Sequence, residues 1–358
     1  MNFDLDKIVR PSIKKVKPYS SARDEFSGEA RIFLDANENS FGSPLTKWYN
    51  RYPDPHQRSL KEQISRIKNV DTDNIFIGHG SDECIDLLYR AFCEPGTDNV
   101  IICPPTYGMY EVSAHINDVS VRQVPLTPDF QLDMEPLLAA VDENTKITWI
   151  CSPNNPTGNS IRFADIELLL NNTGALVVVD EAYINFARQR SLVSLLADYP
   201  NLVVMQTLSK AWGLAGLRLG MAFASPAIIA VLNRIKPPYN ISQPTLDLAG
   251  KALEEVGQVN DMIREIVQMR DELAKVFEQM RIVKKVYPSE ANFLLVQMEE
   301  AHTVYEYLLS KGIVVRDRSR VLLCEDSLRI TIGTEKENTE LVDAFISYMK
   351  QQRAANTK

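Results

Sequence analysis

The chain has 358 residues, 45% of them hydrophobic and 24% charged, with 39 Lys and Arg against 47 Asp and Glu for a net charge of −8. This composition excludes a chain that is disordered throughout, and the length accommodates one large domain and a smaller one. An acidic balance offers no basic field for a polyphosphate backbone, so nucleic-acid partners are not expected and any small anion must be bound by local design.

The opening stretch MNFDLDKIVRPSIKKVKPYS mixes charged and apolar residues without an uninterrupted apolar run, and no later stretch approaches the length needed to span a bilayer. The cysteines Cys84, Cys93, Cys103, Cys151 and Cys324 form no CxxC pair, and the four histidines lack metal-ligand spacing. These features predict a cytoplasmic protein in a reducing compartment, with no metal site and no membrane partner.

Residues 1–50 are rich in Pro, Asn and Ser and contain one strand candidate, RIFLD at 31–35. This arm is expected to pack on a second domain or on a partner chain. From about 72 to 225, short apolar runs alternate with amphipathic segments. The strand candidates are IFI at 75–77, VIIC at 100–103, VSVRQV at 119–124, KITWIC at 146–151, ALVVVD at 175–180, LVVMQT at 202–207 and MAFA at 221–224. Helical patterns lie between them, including DECIDLLYRAF at 82–92 and RFADIELLL at 162–170. The alternation predicts an α/β fold with a mainly parallel seven-stranded sheet between helices, in a large domain spanning 51–250. Residues 242–280 carry long helical periodicity, and beyond them IVKKVY, FLLVQ, IVVR and LRITIG alternate with helical stretches, the last from about Glu335 to Gln352. A smaller α+β domain over 251–358 is expected.

In parallel sheets ligands gather outside the carboxyl ends of the strands. Four polar segments stand there: GHGSDE at 78–83, SPNNPTG at 152–158, DEAY at 180–183 and TLSKAWGLAGLRLG at 207–220. Each has an ordinary reading and a chemical one. GHGSDE is either a capped strand-to-helix turn or a phosphate cradle built from the Ser81 and Asp82 amides at a helix start. SPNNPTG is either a proline loop or the carrier of Asn155, a neutral donor suited to a phenolate-like oxygen. Asp180, ending an apolar run, either caps the next helix or pairs with a cation, because an unpaired carboxylate there would be costly. Lys210 is either a surface lysine or a carbonyl-directed nucleophile with a lowered pKa, beside Ser209 and Arg218, which can neutralise a phosphate. A carboxylate for a ring cation, a nucleophilic lysine and a phosphate cup together meet the requirements of pyridoxal phosphate.

The segments PYSSAR at 18–23, LDANEN at 34–39, RYPDP at 51–55, GSDE at 80–83, RAFCEPG at 90–96 and CPPTYGMY at 103–110 extend the pattern. SPNNPTG, DEAY, TLSKAWGLAGLRLG, GIVVRDR at 312–318 and LRITIGT at 328–334 follow in order. On these motifs the chain resembles the fold-type-I pyridoxal-phosphate-dependent aminotransferases, and among them the histidinol-phosphate aminotransferases, over nearly its whole length. The resemblance implies that Lys210 bonds the cofactor pyridoxal 5′-phosphate and carries the proton. It implies that Asp180 pairs with the ring nitrogen, that Asn155 and Tyr183 bond the ring 3-oxygen, and that Tyr107 stacks on the ring. Ser81, Asp82, Ser209 and Arg218 would hold the cofactor phosphate, with Tyr52 supplied by the other subunit of a homodimer. Tyr19, Asn37, Arg316 and Arg329 are the implied substrate contacts, for histidinol phosphate and for glutamate or 2-oxoglutarate. Threonine-phosphate decarboxylases and aromatic or broad-specificity aminotransferases share the fold and are the nearest alternatives. PYSSAR, CPPTYGMY and VVRDR favour histidinol phosphate.

Overall fold

A computed structural model describes residues 3–18, 32, 34–45, 47 and 49–356. Its centre is a seven-stranded sheet of β1 (Ile75–His79), β2 (Asn99–Ile102), β3 (Ser120–Gln123), β4 (Thr145–Cys151), β5 (Leu176–Asp180), β6 (Leu202–Thr207) and β7 (Leu219–Phe223). The spatial order is β1-β7-β6-β5-β4-β2-β3. Neighbours from β3 across to β6 pair in parallel, whereas β7 runs antiparallel to both β6 and β1. The reversal has a local reason: only residues 208–218 join β6 to β7, too short a connection for a helical crossover. That connection carries Lys210 and Arg218.

All seven strand candidates in 72–225 form strands, and the helical patterns form the helices Gly80–Phe92 and Phe163–Asn172. The central strands are continuous apolar runs because both faces are covered. In β5, Val177 and Val179 enter one core with Ile77 and Val204, while Leu176 and Val178 enter the opposite core with Trp149 and Met205. The same period of two puts Asp180 on the face of Leu176 and Val178, and Glu181 on the other.

A second, antiparallel sheet of order β10-β11-β9-β8 comprises β8 (Val283–Val286), β9 (Phe293–Met298), β10 (Arg316–Asp317) and β11 (Ser327–Thr331). It has its own core with the helices Ala301–Ser310 and Glu335–Asn356, and Leu273 and Phe277 of the helix Val256–Glu278 join it. The helical 242–280 region is divided, with Gln243–Ala252 preceding this long helix.

Two strand candidates require correction. IVVR shrinks to the edge pair Arg316–Asp317, because Val314, 79% exposed, finds no apolar surface to cover. Of RIFLD, Arg31 and Phe33 lie outside the described residues, while Ile32, Leu34 and Asp35 belong to no strand.

Candidate active site

The segments following β1, β2, β4, β5 and β6 meet around one cavity of about 800 Å³, closed on its far side by Arg316, Arg318, Val321 and Arg329 beside the second sheet. The cup at the end of β1 is made by close backbone approach. Gly80 has φ +76°, and a Cβ there would lie 2.7 Å from Arg218 Nη2; a Cβ on Gly220 would lie 2.2 Å from the Ser81 amide nitrogen. Glycine is required at both places. The Gly80 amide donates to the Arg218 carbonyl at 2.8 Å, and Arg218 Nη2 donates to Asp82 Oδ2 at 3.3 Å. The N-cap residue His79 does not cap the helix Gly80–Phe92 with its side chain, and the Glu83 carboxylate takes only the His79 amide, so the Ser81 and Asp82 amides at the positive end remain for an anion. Ser209, whose hydroxyl is bonded to that of Thr207 at 2.9 Å, lines the same cavity.

Asp180 lies across from this cup, 3% exposed. Its Oδ2 accepts from the Tyr110 hydroxyl at 2.7 Å and its Oδ1 from the Ala182 amide at 3.0 Å. Burial raises its pKa, against which the Tyr110 hydroxyl, the Ala182 amide and the Lys210 charge act. Tyr110 is itself fixed: its ring stacks on Trp149 with centroids 4.8 Å apart, and its carbonyl accepts from the Tyr89 hydroxyl at 2.7 Å.

Lys210 Nζ lies 5.6 Å from the centroid of the Tyr183 ring. By surface area the lysine is exposed, but what it is exposed to is the cavity, whose walls lower its pKa by desolvation; Arg329 adds to the lowering and Asp180 opposes it. Among the described residues no carboxylate lies in salt-bridge contact with it. Arg329 Nη1 donates to Asn155 Oδ1 at 2.5 Å, while its buried Nε has no partner among the described residues. Phe293 lies under the Arg329 guanidinium at 5.3 Å and meets Tyr183 edge-on at 5.2 Å.

A family model for aminotransferase class I and II matches residues 37–345. The chain belongs to that family. Within it, a histidinol-phosphate aminotransferase of Cytophaga hutchinsonii is 53% identical over 348 residues, covering 97% of this chain and 100% of that protein. One from Parabacteroides distasonis is 52% identical over 342 residues, covering 96% and 98%. Among solved structures, histidinol-phosphate aminotransferase from Sinorhizobium meliloti in complex with pyridoxal-5′-phosphate superposes with a TM-score of 0.78 at 26% identity, over 87% of this chain and 90% of that one. L-threonine-O-3-phosphate decarboxylase from Porphyromonas gingivalis, at 22% identity and a TM-score of 0.72 over 84% and 91%, shares the fold. The chain is therefore an aminotransferase of the fold-type-I architecture, close to the histidinol-phosphate aminotransferases.

The cavity brings together Ser81, Asp82, Tyr107, Asn155, Asp180, Tyr183, Ser209, Lys210, Arg218, Arg316 and Arg329, eleven of the residues singled out from the sequence. Tyr52 does not line it; half exposed, it stacks on Tyr239 with centroids 4.5 Å apart. Asn37 is exposed and away from the cavity lining, and Tyr19 lies outside the described residues. Sequence reading gave no role to Tyr110 or Arg318. The available signals were the third position after Tyr107 at the start of a helix, and the alternation within VVRDR.

Proposed function

We propose that this chain transfers an amino group reversibly between L-histidinol phosphate and 2-oxoglutarate, giving imidazole-acetol phosphate and L-glutamate in histidine biosynthesis, with pyridoxal 5′-phosphate as cofactor. The observation that carries the reading is one cavity in which a lysine without a carboxylate partner, a buried carboxylate, an amide-lined cup and four arginines face one another. The donor set suits the cofactor. Gly80 and Gly220 leave room for a cup with no space for an added Cβ, and Asp180 is a buried anion in want of a cation.

Ser81, Asp82, Ser209 and Arg218 would hold the phosphate, with Tyr52 from the partner subunit; Asp180 would hold the ring nitrogen, Asn155 and Tyr183 the ring oxygen, and Tyr107 a ring face. When bound, the cofactor supplies the carbonyl that takes the amino group and a ring that delocalises the electron pair left on the substrate's Cα. Lys210 does the proton work. Because desolvation lowers its pKa, more of its Nζ is neutral near pH 7 and able to accept the Cα proton and return it on the other side of the exchange. Arg329, fixed by Asn155, would orient the anionic group of each substrate.

The division into an arm at 1–50, a cofactor domain at 51–250 and a closing domain at 251–358 belongs to the same proposal. So does a homodimer, supported by the exposed apolar residues Leu34, Phe41 and Leu45 of the arm. Five buried, unpaired cysteines favour a reducing, cytoplasmic setting. No helix among the described residues is long and apolar enough to cross a membrane. The test is a coupled assay with histidinol phosphate and 2-oxoglutarate. Glutamate and imidazole-acetol phosphate should appear in equal amounts; carbon dioxide from threonine phosphate, without amino transfer from histidinol phosphate, would overturn the reading.

A further inference from the structure

The sequence VVRDR places like charges on one face of an edge strand. With a period of two, Arg316 and Arg318 point the same way and Asp317 the other. Both arginines line the cavity. Asp317 is turned from them and occupied: its Oδ2 lies 2.8 Å from His302 Nδ1, and its Oδ1 accepts from the Ser319 amide at 2.8 Å. Pairing with β11 then sets Arg316 directly opposite Arg329, and the Arg318 amide continues the ladder by donating to the Ser327 carbonyl at 2.9 Å.

Three guanidiniums therefore share one face of a two-stranded ladder, where like charges directly opposite are destabilising. Their neutralisation within the chain is poor. Arg329 meets the neutral Asn155 oxygen, and Arg318 Nη1 reaches only the Asp317 carbonyl, at 3.5 Å. Among the described residues none of the three has a carboxylate in salt-bridge contact. Burial, then the charges of Arg329 and Arg316, lower the Arg318 pKa, a sign that the crowding is felt. One guanidinium is enough for one carboxylate. A phosphate monoester near pH 7 carries close to two charges and three acceptor oxygens.

We infer that Arg318 is a specificity-determining residue, completing with Arg316 and Arg329 a three-guanidinium clamp for the dianionic phosphate of a phosphorylated amine substrate. The inference rests on the proposed function for the identity of that amine, and on the ladder geometry for the clamp itself.

The test compares holoenzyme of the wild type, Arg318→Gln and Arg318→Lys. Single-turnover reactions with L-histidinol phosphate and with L-histidinol, followed by the cofactor spectrum, give the half-saturating concentration for each amine. For Arg318→Gln the loss on the phosphorylated amine should exceed that on L-histidinol about tenfold or more, the scale of one charge-assisted hydrogen bond. Arg318→Lys, which keeps the charge without the fork, should fall between. In parallel, inorganic phosphate should raise the thermal midpoint of wild-type holoenzyme, whose cofactor already fills the cup, and raise that of Arg318→Gln less. Without phosphate, Arg318→Gln should melt no lower than wild type, since repulsion is relieved. Equal losses on both amines, a phosphate response untouched by Arg318→Gln, or a lower midpoint for both variants without phosphate would overturn the clamp. If wild type does not act on histidinol phosphate yet still binds inorganic phosphate through Arg318, the proposed function falls and the clamp stands.

Discussion

Removing one hydroxyl, in Tyr110→Phe, isolates the contact that holds Asp180. The Tyr110 hydroxyl donates to Asp180 Oδ2 at 2.7 Å within a fully buried setting, and the ring stays clamped by its stack on Trp149. A hydrogen bond to a charged group contributes about 1.5–3 kcal/mol, equivalent to about one to two pKa units on the carboxylate. Burial already raises the Asp180 pKa, and the Tyr110 hydroxyl opposes it, so its removal raises that pKa further. A raised carboxylate contributes stability that is fully present below its unfolded pKa and is lost as pH rises through its folded pKa. The variant loses more, over a window extending to higher pH. Its deficit should therefore be near zero at low pH, where the folded carboxyl is protonated in wild type and variant alike, and grow to about 1.5–3 kcal/mol above the raised folded value. Urea unfolding of cofactor-free protein across that range measures it. A deficit independent of pH would mean that the hydroxyl matters only for packing, and no deficit at any pH would mean that the bond carries nothing.

Two other substitutions probe the cup and the anion wall. Gly80→Ala forces an L-residue to φ +76° and drives a methyl to 2.7 Å from Arg218 Nη2, so displacement of that guanidinium should raise the cofactor dissociation constant about tenfold, the scale of one charge-assisted hydrogen bond. Fluorescence titration of the cofactor-free protein reads this directly, and unchanged affinity would remove Gly80 from the cup. Asn155→Ala takes away the acceptor that fixes Arg329 Nη1 at 2.5 Å; the Michaelis constants for glutamate and histidinol phosphate should both rise about tenfold, and steady-state kinetics with an effect on one substrate alone would show that Asn155 does not act through Arg329.

The central strands of the sheet were legible in the chain because they are buried on both faces and therefore read as unbroken apolar runs, as LVVVD does for β5. The residues at their carboxyl ends were legible for the same reason: Asp180 and Lys210 interrupt or directly follow runs where a charge is conspicuous. What lay beyond reach depends on distance along the chain and on register. Tyr110 and Asp180 are 70 positions apart, and nothing local to either announces the bond. The opposition of Arg316 and Arg329 exists only once β10 and β11 pair in one register. IVVR read as a longer strand because its apolar residues match the template, yet a strand at a sheet edge with Val314 in solvent has little to fix it.

The charge of the chain and the charge of its cavity have opposite signs, and the fold explains how both persist. Five cations, Lys210, Arg218, Arg316, Arg318 and Arg329, line the cavity against the carboxylates Asp82 and Asp180, within a protein of net charge −8. At physiological ionic strength exposed charges are screened over about 8 Å, so the acidic surface does little to relieve repulsion between guanidiniums crowded on one ladder. Asp180 does not relieve it either, since among the described residues it forms no ion pair with any of these guanidiniums and its hydrogen bonds go to Tyr110 and the Ala182 amide. The cavity's own side chains are thus electrostatically unbalanced on both counts, with a buried carboxylate that has no cation in salt-bridge contact among the described residues and a cluster of guanidiniums on one ladder with no carboxylate among them. A ligand carrying a ring cation at one end and a phosphate at the other relieves the first, and an anionic substrate the second. Each should then stabilise the native state by mass action in addition to taking part in the reaction.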